Sequence, residues 1–334
     1  MYTFLTDIAD PFVSHLEYEG ITQDPVQFVT AQVTCGNEVV GSISSVDFEI
    51  IDDDHVDVTF YGLQSIIAGY MKSKGKTIAS FDIEYTIGFD EGAGSAEDSI
   101  DVLYNLYKIT GTTAQNLLQY NFLQLSRTIV ADVDDQISVY HYFPSGTTVV
   151  KIREYAQVDN GIDYNEWSLR FQLTEPGIKP ITFTPSEYVQ TDFENYMYWE
   201  IILPNSSIVI TVYPLRDKYY HRITFRNTFG LLQHAYIPGT VTSEQEKEYE
   251  LGTINGENVA YDVERIITKT LSADAALPQL LPYLREICMS EEVTIDSEAV
   301  IVTEHDIPST DTLGEPFAFS LKYQSNIKNG IDQL

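Results

Sequence analysis

Between Asn195 and Leu203 the chain alternates. Tyr196, Tyr198, Glu200 and Ile202 take every second position, and Met197, Trp199, Ile201 and Leu203 take the positions between. Such alternation puts two sets of side chains on opposite faces of a strand and is incompatible with a helical stripe. The same period runs through Thr77–Gly88, with Ile78, Phe81, Ile83, Tyr85 and Ile87 as core candidates, and through Tyr219–Asn227. Tyr, Val, Ile and Thr dominate these segments, and all four favour strands. Turn residues punctuate them: Cys35-Gly36-Asn37, Pro144-Ser145-Gly146, Pro204-Asn205-Ser206-Ser207 and Asn255-Gly256. The expected fold class is therefore mainly β with a few short helices (α+β), arranged as multi-domain antiparallel β-sandwich modules.

At 334 residues the chain exceeds one ordinary core. The expected first domain, 1–89, is β-rich with one helix. Its strands are Val26–Thr34, Glu38–Ile51, His55–Tyr61 and Thr77–Gly88, and Leu63, Ile66, Ile67 and Tyr70 recur at helical spacing. The polar, Gly-rich run 90–98, DEGAGSAED, reads as a linker. A central antiparallel sandwich, 99–215, is expected next. It has a hairpin of Ile137–Phe143 with Thr147–Tyr155, a strand at Trp167–Leu173, and a second hairpin of Asn195–Leu203 with Ile208–Tyr213. The third domain, 216–334, is α+β, with a hairpin turn at Asn255-Gly256. Leu277, Leu280, Leu281, Leu284, Ile287 and Cys288 mark one face of a helix from Asp274 to Met289. Ser272 would cap it, Pro278 would fall in its first turn and Pro282 would kink it. Strands are expected again at Glu292–Glu304 and Pro316–Tyr323.

Charge excludes more functions than any motif supports. The chain carries 50 acids against 19 bases, and no Lys or Arg precedes Lys72. Such a surface repels nucleic acid and anionic membrane, so no specific nucleic-acid binding is expected. The opening lacks the positive start of an export signal, and no apolar run approaches the length of a membrane span. Synthesis in a cytoplasm without membrane insertion is the expectation. Cys35 and Cys288 lie too far apart in sequence to suggest a disulfide framework and read as two buried thiols.

The chemistry-bearing clusters each have a plainer reading. Asp52-Asp53-Asp54-His55 with Asp57, and Asp132 with Asp134 and Asp135, offer oxygen ligands for calcium but lack the Gly and distal Glu of an EF-hand loop. The six histidines are scattered, without a metal-ligand spacing. Gly92-Ala93-Gly94-Ser95-Ala96 lacks the last Gly of a nucleophile elbow, and carboxylate pairs such as Glu194 and Glu200 are unremarkable among so many acids. Asn205-Ser206-Ser207 matches a glycosylation acceptor but reads as a turn. No catalytic, cofactor or metal residues are nominated, and no enzymatic activity is expected. One basic island stands out: Arg216, Lys218, Arg222 and Arg226, beside His221. On a strand Tyr220, Arg222, Thr224 and Arg226 share one face, which makes Tyr220, Arg222 and Arg226 a candidate protein–protein interface. Local charge balance is the competing reading, and Arg222→Glu separates the two.

The start MYTFLTDIADPF, the segment VDVTFYGLQSIIAGYMKSKGK, a Tyr-rich sandwich, and ITFRNTFGLLQHAYIPGT followed by a hairpin, the helix PQLLPYLREI and terminal strands together resemble structural proteins of tailed bacteriophages and related prophages. The resemblance is to tail and baseplate components. It implies a non-enzymatic virion subunit, a tail, baseplate or connector component assembling into a ring, whose partners are copies of itself and other virion proteins. The alternative is an extracellular carbohydrate- or receptor-binding sandwich, with Trp167, Trp199, Tyr196 and Tyr198 as a platform. Alternation sets Trp199 beside Met197 and Ile201 on a core-like face, which weighs against that platform.

Overall fold

A computed structural model of the chain describes residues 1–17, 26–51, 55–89, 92–159, 161–189, 196–204, 206–215, 219–254, 257–309 and 315–325, with backbone alone for 247–254 and 257–266. Asp52–Asp54, Asp90, Glu91, Glu194, Asn205, Arg216, Lys218 and Asn255-Gly256 lie outside the described residues. Among the described residues the fold is mainly β with three short α-helices, as the alternation demands.

Residues Met1–Asn121 with Thr228–Gly230 form one compact unit. Its elements are β1 (Tyr2–Phe4), β2 (Phe12–Glu17), β3 (Phe28–Cys35), β4 (Glu38–Ser44), β5 (Asp47–Ile50), β6 (His55–Phe60), α1 (Leu63–Lys74), β7 (Ile78–Phe89), β8 (Gly92–Leu103) and α2 (Ala114–Tyr120). The strands form a five-stranded sheet ordered β1-β8-β7-β3-β4 and a three-stranded sheet ordered β2-β6-β5. Leu63, Ile67 and Met71 are the buried stripe of α1, at the helical spacing. They share a core with Val29 and Val33 of β3, Val56 and Phe60 of β6, and Phe81 and Tyr85 of β7. Gly75 ends α1 with φ +61°, and its amide donates to the Lys72 carbonyl at 3.1 Å.

The Gly-rich run expected to link domains is instead β8, which pairs antiparallel with β7 from Ile78↔Leu103 to Phe89↔Gly92. The physical reason is size matching. Gly94 and Ala96 stand opposite Ile87 and Tyr85, so small residues leave room for large buried ones. The Glu38–Ile51 strand also breaks in two, at Ser45-Val46, and its halves join different sheets.

Residues Phe122–Asn227 with the described residues from Leu231 on form the second unit. It contains β9 (Thr128–Ala131), β10 (Ile137–Phe143), β11 (Gly146–Val158), β12 (Gly161–Leu173), β13 (Gly177–Phe183), β14 (Tyr196–Ile202), β15 (Val209–Pro214), β16 (Tyr220–Arg226), β17 (Leu232–Pro238), β18 (Thr240–Ile254), β19 (Glu257–Ala276), α3 (Leu281–Met289), β20 (Val293–Ile295), β21 (Glu298–Asp306) and β22 (Phe317–Ser325). These make a five-stranded sheet, β12-β11-β14-β15-β9, a two-stranded sheet, β10-β13, and a seven-stranded sheet, β17-β16-β20-β21-β22-β19-β18. One hydrophobic cluster joins them, from Ile137 and Ile152 through Trp199 to Phe225, Leu271 and Leu284. The boundary expected at 215/216 therefore falls inside a shared core.

The hairpin of Asn195–Leu203 with Ile208–Tyr213 is present as β14 and β15, paired from Trp199↔Val212 to Ile202↔Val209. The hairpin expected at Pro144-Ser145-Gly146 is not. There β10 pairs with β13 and β11 with β12 and β14, so this turn is a corner between two sheets. Two pairings, β1–β8 and β15–β9, are parallel rather than antiparallel. The expected long helix is also shorter, because β19 runs to Ala276 and takes in Ser272, which pairs with Thr240 and Ser320. Proline has no amide to donate, so Pro278 opens a 3-10 turn and Pro282 falls in the first turn of α3, which starts afresh there.

Trp199 is fully buried, and its Nε1 donates to the Tyr188 carbonyl at 3.1 Å. Trp199→Ala should lower the stability of this unit by about 3–5 kcal/mol in urea denaturation. Asp296 and Ser297 close the β20–β21 hairpin with φ +49° and +73°, a conformation glycine adopts more readily than serine. Ser297→Gly should raise stability by roughly 0.5–1 kcal/mol in the same measurement.

Candidate functional site

The basic island falls on β16 with the predicted faces. Ile223 and Phe225 are fully buried, while Arg222 and Arg226 are exposed and Tyr220 is half-buried. Each arginine has an acid in its own chain. The Arg222 Nε lies 3.8 Å from the Asp135 carboxylate, which also accepts a hydrogen bond from the Tyr236 hydroxyl. The Arg226 Nε donates to Glu292 at 2.7 Å. Asp296 accepts from the Arg222 amide at 2.9 Å, and its other oxygen lies 2.6 Å from His221 Nδ1. Charge on this face is thus balanced locally.

The acid cluster around Asp132 resolves the same way, and Asp52–Asp54 of the other lie outside the described residues. Asp132 accepts from the Asp134 amide at 3.1 Å, and Asp135 turns to Tyr236 and Arg222, so the three carboxylates do not converge. His15, His55 and Asp57 line an open cavity of about 360 Å³, with His15 Nδ1 2.6 Å from Asp57. Among the described residues no group of three or more His, Cys, Asp or Glu is arranged to hold a metal ion. Ser95 of the Gly-rich run lies in β8, opposite Thr86, rather than at a strand-to-helix elbow. Both cysteines are free thiols, and burial pushes Cys288 up to about 12.

The sequence reading missed the most organised surface feature. On the outer side of the five-stranded sheet four tyrosines form a row across four neighbouring strands: Tyr164 of β12, Tyr155 of β11, Tyr198 of β14 and Tyr213 of β15. Tyr155 and Tyr198 stack at 4.6 Å with a 20° interplanar angle. Tyr164 and Tyr213, at the ends, remain 50% and 43% exposed, so the row reaches solvent. The Arg153 guanidinium covers the Tyr164 ring at 4.8 Å and donates to Glu166 at 2.8 Å. Lys151 adds a second ion pair to Glu166 at 2.7 Å, and the Tyr155 hydroxyl donates to Glu200 at 2.9 Å. The Lys151 hydrogen bond, then that of Arg153, holds the Glu166 carboxyl below its ordinary range. Burial, then Glu200, pushes the Tyr155 and Tyr198 phenols up.

This row is not the aromatic platform expected from sequence. Trp199 is in the core, Tyr196 tilts against it at 5.1 Å, and Trp167 meets Tyr188 edge-on. Only Tyr198 of the four expected residues belongs to the row. The signal was present as Arg153/Tyr155, Tyr164/Glu166 and Tyr198/Glu200, each spaced by two, but only the pairing register sets them side by side. Comparison with protein-family models, with curated proteins and with solved structures returns no match. Among the described residues no helix is long and apolar enough to cross a membrane.

His234 lies on the strand beside β16, and its Nε2 is buried without a hydrogen-bond partner. Burial first, then the Arg222 charge, lowers its pKa below the ordinary 6.5. The unfolded chain therefore binds this proton more readily than the folded one, and stability is complete above about pH 6.5 and is lost as pH falls below it. The urea midpoint of the wild type should drop between pH 7 and pH 5, and His234→Gln should flatten that slope.

Proposed function

We propose that this chain is a non-enzymatic structural subunit of a virion, of the tail or baseplate kind, that works by being repeated and contacts copies of itself and other virion proteins. The observation that carries the proposal is the β18–β19 ribbon. The two strands run 15 and 20 residues and pair from Thr240↔Ser272 to Ile254↔Glu257. The other neighbour of β19, β22, pairs with it only from Thr268 to Ala276. Among the described residues, the strand pairing of Glu246–Ile254 is with Glu257–Ile266 alone, over roughly 30 Å of strand.

A lone two-stranded ribbon is marginal in water. Here β18 is also the edge of its sheet, and every residue from Thr240 to Glu246 is exposed, so neither face of that stretch is covered. A long bare edge is a template for another chain, and monomeric proteins usually shorten or cover it. An arm of this form suits a subunit that completes its hydrogen bonding in an assembly. The order of sequence segments that resembles phage tail proteins supports the same reading, and the net charge of -31 suits a subunit that must not stick to a genome.

The test removes the arm and nothing else. Glu244 and Thr268 are a paired register position, so an Asn-Gly turn in place of Gln245–Ile267 closes the ribbon at its root. The shortened chain should keep its circular dichroism spectrum and fail to enter particles when it replaces the wild type in the parent phage. Incorporation at the wild-type level would contradict the proposal.

A further inference from the structure

The tyrosine row marks a surface whose partner its chemistry identifies. Strand alternation puts Lys151, Arg153 and Tyr155 on the side of β11 away from the buried Val150 and Ile152. Tyr164, Glu166 and Arg170 take the matching side of β12. Because Tyr155 and Tyr198 stack on each other and Arg153 covers Tyr164, these rings turn their faces inward along the row. The row therefore offers ring edges and hydroxyls, not open faces on which a sugar would stack. A flat field of tyrosine and arginine is the composition of a protein–protein contact. Three of the chain's 19 bases lie on this one face, and Arg170 has no acid partner among the described residues.

The first unit carries the counterpart. The outer side of β3, β7 and β8 carries Thr34, Asp82, Glu84, Glu97 and Ser99, which line an open groove of about 580 Å³ together with Asp98 and Ile83. Glu84 stands directly opposite Glu97 in the register, an arrangement that destabilises a sheet. No Lys or Arg of the described residues pairs with Asp82, Glu84 or Glu97. Cations brought by another molecule would relieve that repulsion, and the tyrosine face supplies Arg170, with Lys151 and Arg153 sharing the single carboxylate of Glu166.

We propose that the tyrosine–cation face of one copy docks on the acidic β3–β7–β8 face of the next copy. The contact is heterologous, one surface against a different one, which is the kind that builds rings. It rests on the subunit reading and adds the identity of the two faces.

Two charge-reversed variants of the full chain test it by sedimentation velocity. One is Lys151→Glu with Arg170→Glu, the other Glu84→Lys with Glu97→Lys, each first shown to keep the wild-type circular dichroism spectrum. Wild type should self-associate, more weakly as salt rises. Each variant alone should weaken association roughly tenfold or more, and an equimolar mixture should restore it, because each then meets an opposite charge. Variants that associate like wild type, or a mixture that stays as weak as its components, overturn the docking proposal. If that happens while the shortened-arm chain is still excluded from particles, the subunit reading stands and only the choice of faces falls. A wild type that stays monomeric at all salt concentrations and is missing from particles overturns both.

Discussion

A β-strand exposes hydrogen-bonding groups along both edges, and every edge must meet a partner or water. Among the described residues, the longest strand at a sheet edge is β18. The seven-stranded sheet ends there, its last two strands run past the described part of the third, and Thr240–Glu246 are exposed. The strand at the other end of the same sheet, β17, differs in its side chains: Ala235 and Ile237 are buried, and Tyr236 bonds Asp135. A long exposed edge of this kind is what the proposed assembly would cover.

Scarce bases shape the rest. Lys151 and Arg153 are committed to Glu166, and Arg226 to Glu292. These pairs are largely exposed, so each adds little stability. Their effect is to set where charge is left over. Among the described residues, acids remain unpaired along Asp82, Glu84 and Glu97, and a cation remains at Arg170. The proposed docking between copies draws on this distribution.

Elements set by local chemistry were legible in the sequence. The α1 stripe, the β14–β15 hairpin and the two faces of β16 follow from spacing alone. Pairing between distant segments was not. A turn signal at Pro144-Ser145-Gly146 says that the chain reverses, not that its flanks become neighbours, and here they enter different sheets. The Gly-rich β8 reads as a linker until Tyr85 and Ile87 are seen opposite Ala96 and Gly94. The tyrosine row was illegible for the same reason: four residues on four strands meet only through register. Of the expected interface, the shared face of Tyr220, Arg222 and Arg226 was readable, but the acids that hold the arginines come from residues 135 and 292, far off in sequence.

Amide hydrogen exchange on the ribbon tests the account most directly. In dilute isolated protein, amides of 245–254 and 257–267 should exchange orders of magnitude faster than those of β14 in the sandwich core, and they should become protected in assembled particles. Strong protection of the ribbon in a dilute monomer, or fast exchange of it within particles, would show that the arm is complete by itself and would contradict the claim that this chain is built to be one of many.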